Sequence, residues 1–461
     1  MSSKTSGERS LAETLWSPEK RVVVAMLVWL TLLALGSSFI STPFFDQKEG
    51  MAPNYAHTMY LHGLLIGMVG LLGLIAMDVF GAGHKSRTAH NLILWGTLGA
   101  ALFSGVGGIF DKQVEDTFFL WMQIVSFFFL DEILITLSLS LFQRAVETRV
   151  IATWLAAFAA LSGFLSAVMG HLAGWILEFG DYPRAIIGGY ASLAAETWQS
   201  FLTHLISAHA HDMVVAVLAL LVATACYYFT QGGRGSRLTR VGLWWTAVGT
   251  VVMTLVYVVA GFTQAQPPML FAHAVSGIGG DDFVTGVGVM LGAVIALVGL
   301  GFERLSDPAT RWGSALLSAM LFVIVPVIGY YIEMHENLFN HGAASAPRGA
   351  ADLVYGWYHQ DFAFFLLPAV MTTLMALQLF ARGARERRQA VLTLVTGSFL
   401  AFLGGILYVF VSSAQYGVAF IVATIGIAGI VLGMVLALRA IVAPPRDAAA
   451  EGVALGERQV G

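Results

Sequence analysis

Three histidines stand at nearly equal intervals along the chain, and imidazole is a common ligand of iron, copper and zinc. His62 and His211 are 149 residues apart, and His211 and His359 are 148 apart. A long apolar stretch follows each of them, which places the histidine itself within a predicted membrane span. An ionisable side chain is costly there and usually functional. The spacing therefore predicts inward-facing ligands of a metal or metal cofactor at equivalent positions. The alternative is that these histidines have no function and lie at the membrane surface, where water and lipid headgroups solvate them.

Membrane-spanning helices are the elements that position these side chains. The chain has 461 residues, a mean hydropathy of +0.77 and only 11% charged residues, against about 25% in soluble domains. Apolar runs of this length cross the bilayer, and their backbone groups are satisfied only as helix. The single cysteine, Cys226, excludes a disulfide framework. The predicted helices cover residues 21–40, 55–80, 90–110, 117–143, 150–177, 200–229, 240–262, 281–302, 313–334, 356–381, 389–412 and 417–440.

The distribution of lysine and arginine predicts the orientation. Most of the 24 basic residues fall in the N-terminal segment and in the loops that follow even-numbered helices. The opposite face carries only Lys48, Lys112, Arg184 and Arg348. The positive-inside rule predicts a multi-pass protein of the cell inner (plasma) membrane with both termini cytoplasmic. We expect a cytoplasmic N-terminal segment at 1–20 and a disordered cytoplasmic tail at 441–461. A net charge of −4 without a basic tract disfavours nucleic-acid binding.

The spaced histidines fall in predicted helices 2, 6 and 10, so each is four helices beyond the one before. This periodicity favours a fold class of all-α membrane protein with twelve transmembrane helices in three pseudo-repeated four-helix arcs. Interiors of helix bundles are where cofactor sites are usually built.

The segments around two of these histidines resemble subunit I of the haem-copper oxidase superfamily, which includes nitric oxide reductases. Residues 59–65, Met-Tyr-Leu-His-Gly-Leu-Leu, are similar to the family's His-Gly segment. Residues 359–365, His-Gln-Asp-Phe-Ala-Phe-Phe, resemble its His-x-His segment. The resemblance implies that residues 21–440 form a haem-copper oxidase-like membrane domain with one or two haems. It further implies that His62 binds the electron-input haem and His359 the reactive haem.

Helix 7 departs from the family pattern at the non-haem metal site. The resemblance gives His211 the place of the first ligand of a non-haem copper or iron. Residues 261–264 read Gly-Phe-Thr-Gln, where the family has a His-His pair. Hydroxyl and amide groups are poor copper ligands, so we expect no usual three-histidine site. His273, in the outer loop after helix 7, is the nearest replacement for the missing pair. His209 is a further candidate metal ligand, although His209 and His211 lie about 200° apart around a regular helix, so at most one of them faces the interior.

Helix 10 departs as well, because Asp361 occupies the position of the second family histidine. Two arrangements stay open. Either His62 and His359 share one haem, or His359 holds a five-coordinate haem and His62 has another partner.

Two adjacent carboxylates, Asp131 and Glu132, lie in predicted helix 4. They are interpreted either as a proton path or as protonated carboxyls that are hydrogen-bonded within the bundle. Adjacent helical positions point about 100° apart, so one of the two serves the interior.

Together these features favour a haem-binding integral membrane redox protein. The resemblance implies an oxidoreductase of the respiratory chain that reduces dioxygen or nitric oxide with electrons from the outer face. The acidic outer face predicts a soluble cytochrome c, a cupredoxin-like donor or other redox subunits as partners, beside the lipid bilayer. The alternative is a cofactor-free twelve-span secondary transporter with His-based proton coupling, although transporters usually repeat in halves rather than thirds.

Overall fold

The computed structural model describes residues 21, 23–32, 55–82, 86–114, 117–179, 195–230, 232, 235–262, 285–301, 308–329, 358, 362–381, 383–410 and 417–442. Every regular element in these ranges is helical, which confirms the predicted all-α class. The predicted roles of His273, of His359 and of segment 1–20 lie outside the described residues, as does almost all of the tail at 441–461.

Each of the twelve predicted spans contains a helix. We number them α1 to α12 in chain order: Val23–Leu32, Tyr55–Val79, Arg87–Val114, Thr117–Thr148, Ile151–Phe179, Ala195–Phe229, Arg237–Phe262, Gly286–Gly301, Pro308–Phe322 continuing through Val323–Gly329, Leu367–Phe380 preceded by 362–366, Ala384–Phe410, and Val418–Val442. Within the described residues, ten of them are long and apolar enough to cross a membrane. The described part of the chain is therefore that of a multi-pass membrane protein.

The centre of the bundle is formed by α2, α6 and α10, which pack against one another. In the most apolar 18-residue stretch of each, 83–89% of residues are buried, against 67% or less in the other seven long spans. The helices predicted to carry the spaced histidines are thus the innermost ones. Their grouping into three repeated arcs stays a prediction.

Small residues allow the outer helices to approach closely. A Cβ atom at Gly249 of α7 would lie 1.7 Å from the carbonyl oxygen of Gly288 in α8. A Cβ atom at Gly404 of α11 would lie 2.4 Å from the backbone nitrogen of Ala423 in α12. Only residues without large side chains permit such contacts between helices in lipid.

Wide π-helical turns occur within the predicted spans of α8, α9 and α10. They cover Gly286–Met290, Val323–Gly329 and residues 362–366. Pro326 lies inside the second turn, and the absence of its N–H breaks the regular hydrogen-bond ladder. A Cβ atom at Gly286 would lie 2.2 Å from the Cβ of Pro326, so the first two π turns pack directly together. Such turns insert an extra residue and often accompany functional sites.

Candidate functional site

Two imidazoles from the central helices face each other. His62 of α2 and His209 of α6 have parallel rings, with an interplanar angle of 7° and a centroid separation of 6.1 Å. Both residues are half-buried. Phe365 lies beside His62, with ring centroids 6.3 Å apart. The His62 ring therefore lies against α6 and the turn that precedes α10, and its role as a ligand stays a prediction.

The orientation of the His209 ring is set by Ser166 of α5. The Nδ1 atom lies 2.7 Å from the Ser166 carbonyl oxygen, and because a carbonyl only accepts, Nδ1 must be the donor. In return, the Ser166 hydroxyl donates to the backbone carbonyl of His209 at 2.7 Å. A neutral ring with its proton on Nδ1 keeps the lone pair of Nε2 available for a ligand.

Gly170, one turn beyond Ser166 on α5, provides the space for this ring. A Cβ atom there would lie 2.5 Å from Cε1 and 2.8 Å from Nε2 of His209. No side chain fits between the ring and the α5 backbone, so a glycine is needed at this close approach.

His211 points to a different side of α6, as the 200° rotation between the two positions predicts. Its ring is 5.7 Å from that of Tyr257 on α7 and 5.8 Å from that of Phe364 before α10. The Tyr257 hydroxyl is hydrogen-bonded to Thr285. His211 is buried and His209 is half-buried, and the two rings contact different helices. Which of them faces a cofactor site stays a prediction.

The proposed metal ligands are not gathered into one centre in the described residues. His209 and His211 contact different neighbours, and His273 and His359 lie outside the described ranges. Within those ranges, no group of three or more His, Cys, Asp or Glu side chains is arranged to hold a metal ion. The described residues do include a pair of stacked imidazoles, His62 and His209.

A carboxylate–imidazole pair lies between α4 and α5. The Asp131 carboxylate is 3.1 Å from Nδ1 of His171, and the His171 ring stacks on Phe127 with a centroid separation of 4.7 Å. Glu132 points toward α3, where a Cβ at Gly96 would lie 2.4 Å from its Oε2. The two adjacent carboxylates therefore face different helices, as their predicted rotation requires.

A second polar cluster joins α5, α6 and α7 at Asp212, which is fully buried. Its Oδ1 accepts a hydrogen bond from Ser162 at 3.0 Å and lies 3.0 Å from the Thr254 hydroxyl. The Thr254 hydroxyl is also 2.8 Å from Ser162. Asp212 thus contacts hydroxyl groups of two neighbouring helices.

The α5 partners of this site were missed in the sequence. Ser162, Ser166 and Gly170 recur every four residues and therefore share one face of α5. Such a stripe of small and polar residues is a sequence signal for close, hydrogen-bonded helix packing in membranes. It could have identified the helix face that supports His209 and Asp212.

Comparison with known proteins adds no further assignment: no protein-family model, curated protein or solved structure matches this chain. The site must therefore be interpreted from its own chemistry.

Proposed function

We propose that the chain is a haem-binding integral membrane redox protein. The observation that carries the proposal is the parallel pair of rings from His62 and His209 at the centre of the bundle. A role related to haem-copper oxidases and nitric oxide reductases, with reduction of dioxygen or nitric oxide, is the enzymatic form of this proposal. It rests on the resemblance of the segments around His62 and His359.

The donor set is one that haem iron accepts. His62 and His209 would each supply an imidazole nitrogen, and histidine is a common protein ligand of haem iron. Their rings are parallel and stacked, with centroids 6.1 Å apart, so the two donors lie close together. A porphyrin would supply the remaining nitrogen ligands, so two protein side chains are sufficient. Such a site would bind iron without three clustered protein ligands.

The residues of the chain have distinct roles in this proposal. His62 and His209 would hold the iron, and the Ser166 carbonyl fixes the tautomer and orientation of His209 through its Nδ1–H. A bound haem would supply one-electron transfer. His211 is kept as a candidate ligand of a further metal, and Asp131 and Glu132 as candidate residues of a proton path.

The visible spectrum of the purified protein tests the proposal. After expression with adequate haem, we expect a Soret band and low-spin α bands, iron in proportion to haem, and less than one equivalent of copper per chain. His62→Ala and His209→Ala should each remove or shift the low-spin signal, whereas His90→Ala, at the start of α3, should not. His62→Met should retain haem with a raised reduction potential, because methionine can also hold haem iron.

Two results would contradict this assignment. One is the absence of bound haem in wild-type protein that is folded and supplied with haem. The other is an unchanged spectrum, including the low-spin electron paramagnetic resonance signal, in both alanine variants.

A secondary transporter with His-based proton coupling is the second candidate. The pair formed by Asp131 and His171 inside the predicted spans favours it, because intramembrane carboxylates and histidines form proton relays in carriers. Haem-free protein that moves protons with a solute in liposomes, and loses this activity in His171→Gln, would favour the transporter over the redox protein.

A further inference from the structure

An open groove of about 770 Å³ runs along the outside of the bundle between α7 and α8. Arg237 and Arg240 line one end of it, and Trp244, Trp245 and Val248 line its apolar length. The volume falls within the range of about 300 to 1,000 Å³ typical of small-molecule sites. The groove therefore has a charged end and an apolar body.

The walls of the groove face outward. Trp244 is 59% exposed and Val248 is 58% exposed, and both belong to a helix long and apolar enough to span the membrane. In a bilayer, such side chains contact acyl chains. The occupant of the groove must therefore be apolar over most of its length.

The floor of the groove is fixed by close helix contact. Gly249 packs directly on Gly288, so no side chain fills the space between α7 and α8 at this level. The Trp245 indole Nε1–H donates to the Val287 carbonyl at 2.8 Å, which holds the ring against α8 and satisfies its polar atom. The groove is thus built from restrained side chains.

The charged end offers two guanidinium groups on one side of α7. Arg237 and Arg240 are three residues apart, both are exposed, and neither forms an ion pair within the described part of the chain. Two arginine forks match the oxygen atoms of a phosphate group. The sequence predicts that this end of α7 faces the cytoplasm, where anionic lipids attract basic residues.

We propose that this groove is a binding site for one anionic phospholipid. Arg237 and Arg240 bind the phosphate, and an acyl chain lies along the tryptophans toward Val252. The distance from Arg237 to Val252 is about 22 Å along the helix, which is most of the hydrocarbon thickness of about 30 Å. The site is independent of the haem proposal, since it uses none of the same residues.

Lipid retention by the full-length protein tests the site. Protein reconstituted in nanodiscs of phosphatidylcholine with a minor fraction of phosphatidylglycerol is re-extracted, and the bound lipid is counted by native mass spectrometry. We expect wild type to keep phosphatidylglycerol in preference to phosphatidylcholine and Arg237→Gln/Arg240→Gln to retain it at least tenfold less. Arg385→Gln/Arg388→Gln, an exposed pair with the same spacing on α11, should behave as wild type.

A second variant distinguishes lipid binding in the groove from attraction by the surface charge alone. Val248→Trp leaves both arginines in place but fills the apolar length, so it should also lose the retained lipid. Equal retention in wild type and Arg237→Gln/Arg240→Gln would overturn the proposal, as would equal loss in the α11 control. Full displacement by inorganic phosphate, or a partner helix occupying the groove in the purified assembly, would overturn it too.

Discussion

At the residue scale, the site depends on how His209 is held. Its Nδ1–H donates a hydrogen bond to the Ser166 carbonyl of α5, and its ring lies against Gly170. The Ser166 hydroxyl donates a second hydrogen bond, to the backbone carbonyl of His209. The imidazole is therefore restrained by the main chain of a neighbouring helix, which is more rigid than a side-chain partner.

Replacement of Gly170 by alanine should move the His209 ring. The new Cβ would lie 2.5 Å from Cε1, so the ring or α5 must shift, at a cost of about 1–3 kcal/mol. We expect a lower apparent melting temperature in detergent and, in haem-loaded protein, a weakened low-spin signal. Gly174→Ala is the matched control, since nothing lies within 4 Å of a Cβ at that position of α5. Equal stability of the two variants would show that the ring is not confined as described.

The interior position of His62 could be predicted because an imidazole followed by a long apolar stretch has few tolerable environments. Its pairing with His209 could not. The sequence places both rings in the membrane, but the rotation of α2 relative to α6 depends on packing between helices distant in the chain. The contributions of Ser166 and Gly170 depend on the same packing.

At the element scale, the presence of the helices was predictable. In lipid, an apolar run of membrane-spanning length can pair all of its backbone N–H and C=O groups only as a helix. The π turns were not predictable in this way. They arise from local departures such as Pro326, and from the contact of this residue with Gly286 on another helix. Helix ends also extend past their predicted limits: α4 continues to Thr148 because amphipathic residues prolong the helix beyond the apolar run.

The seam between α11 and α12 offers a test of helix packing. Ala423 is 6% exposed and lies against Gly404, whereas Ala428 on the same helix is exposed. Ala423→Val should separate the two helices and cost about 1–3 kcal/mol, because the added methyl groups meet the α11 backbone. Ala428→Val adds the same atoms toward lipid and should leave the apparent melting temperature in detergent within error of wild type. A comparable loss in both variants would argue against this seam.

At the scale of the whole molecule, the sequence predicts orientation through its basic residues. A C-terminal green fluorescent protein fusion should fluoresce, and a C-terminal alkaline phosphatase fusion should be inactive, because both termini are predicted to be cytoplasmic. Fusions made after α3, which contains residues 87–114, place the reporter at the predicted outer face. There the alkaline phosphatase should be active and the green fluorescent protein should not fluoresce. An active phosphatase at the C-terminus would reverse the predicted outer and inner faces, and with them the proposed side of electron entry.

The bonds between α5 and α6 also bear on the order in which the chain enters the membrane. His209 and Asp212 are poor residues for a helix released alone into lipid, yet Ser166 and Ser162 lie on the helix synthesised just before. A hairpin of these two helices can therefore leave the translocon with much of its polar surface already paired. Thr254 joins later, when α7 is made. Insertion of this chain is thus expected to proceed by helical hairpins. In the α5–α6 hairpin, α5 pairs the polar groups of α6 until the remaining helices pack around it.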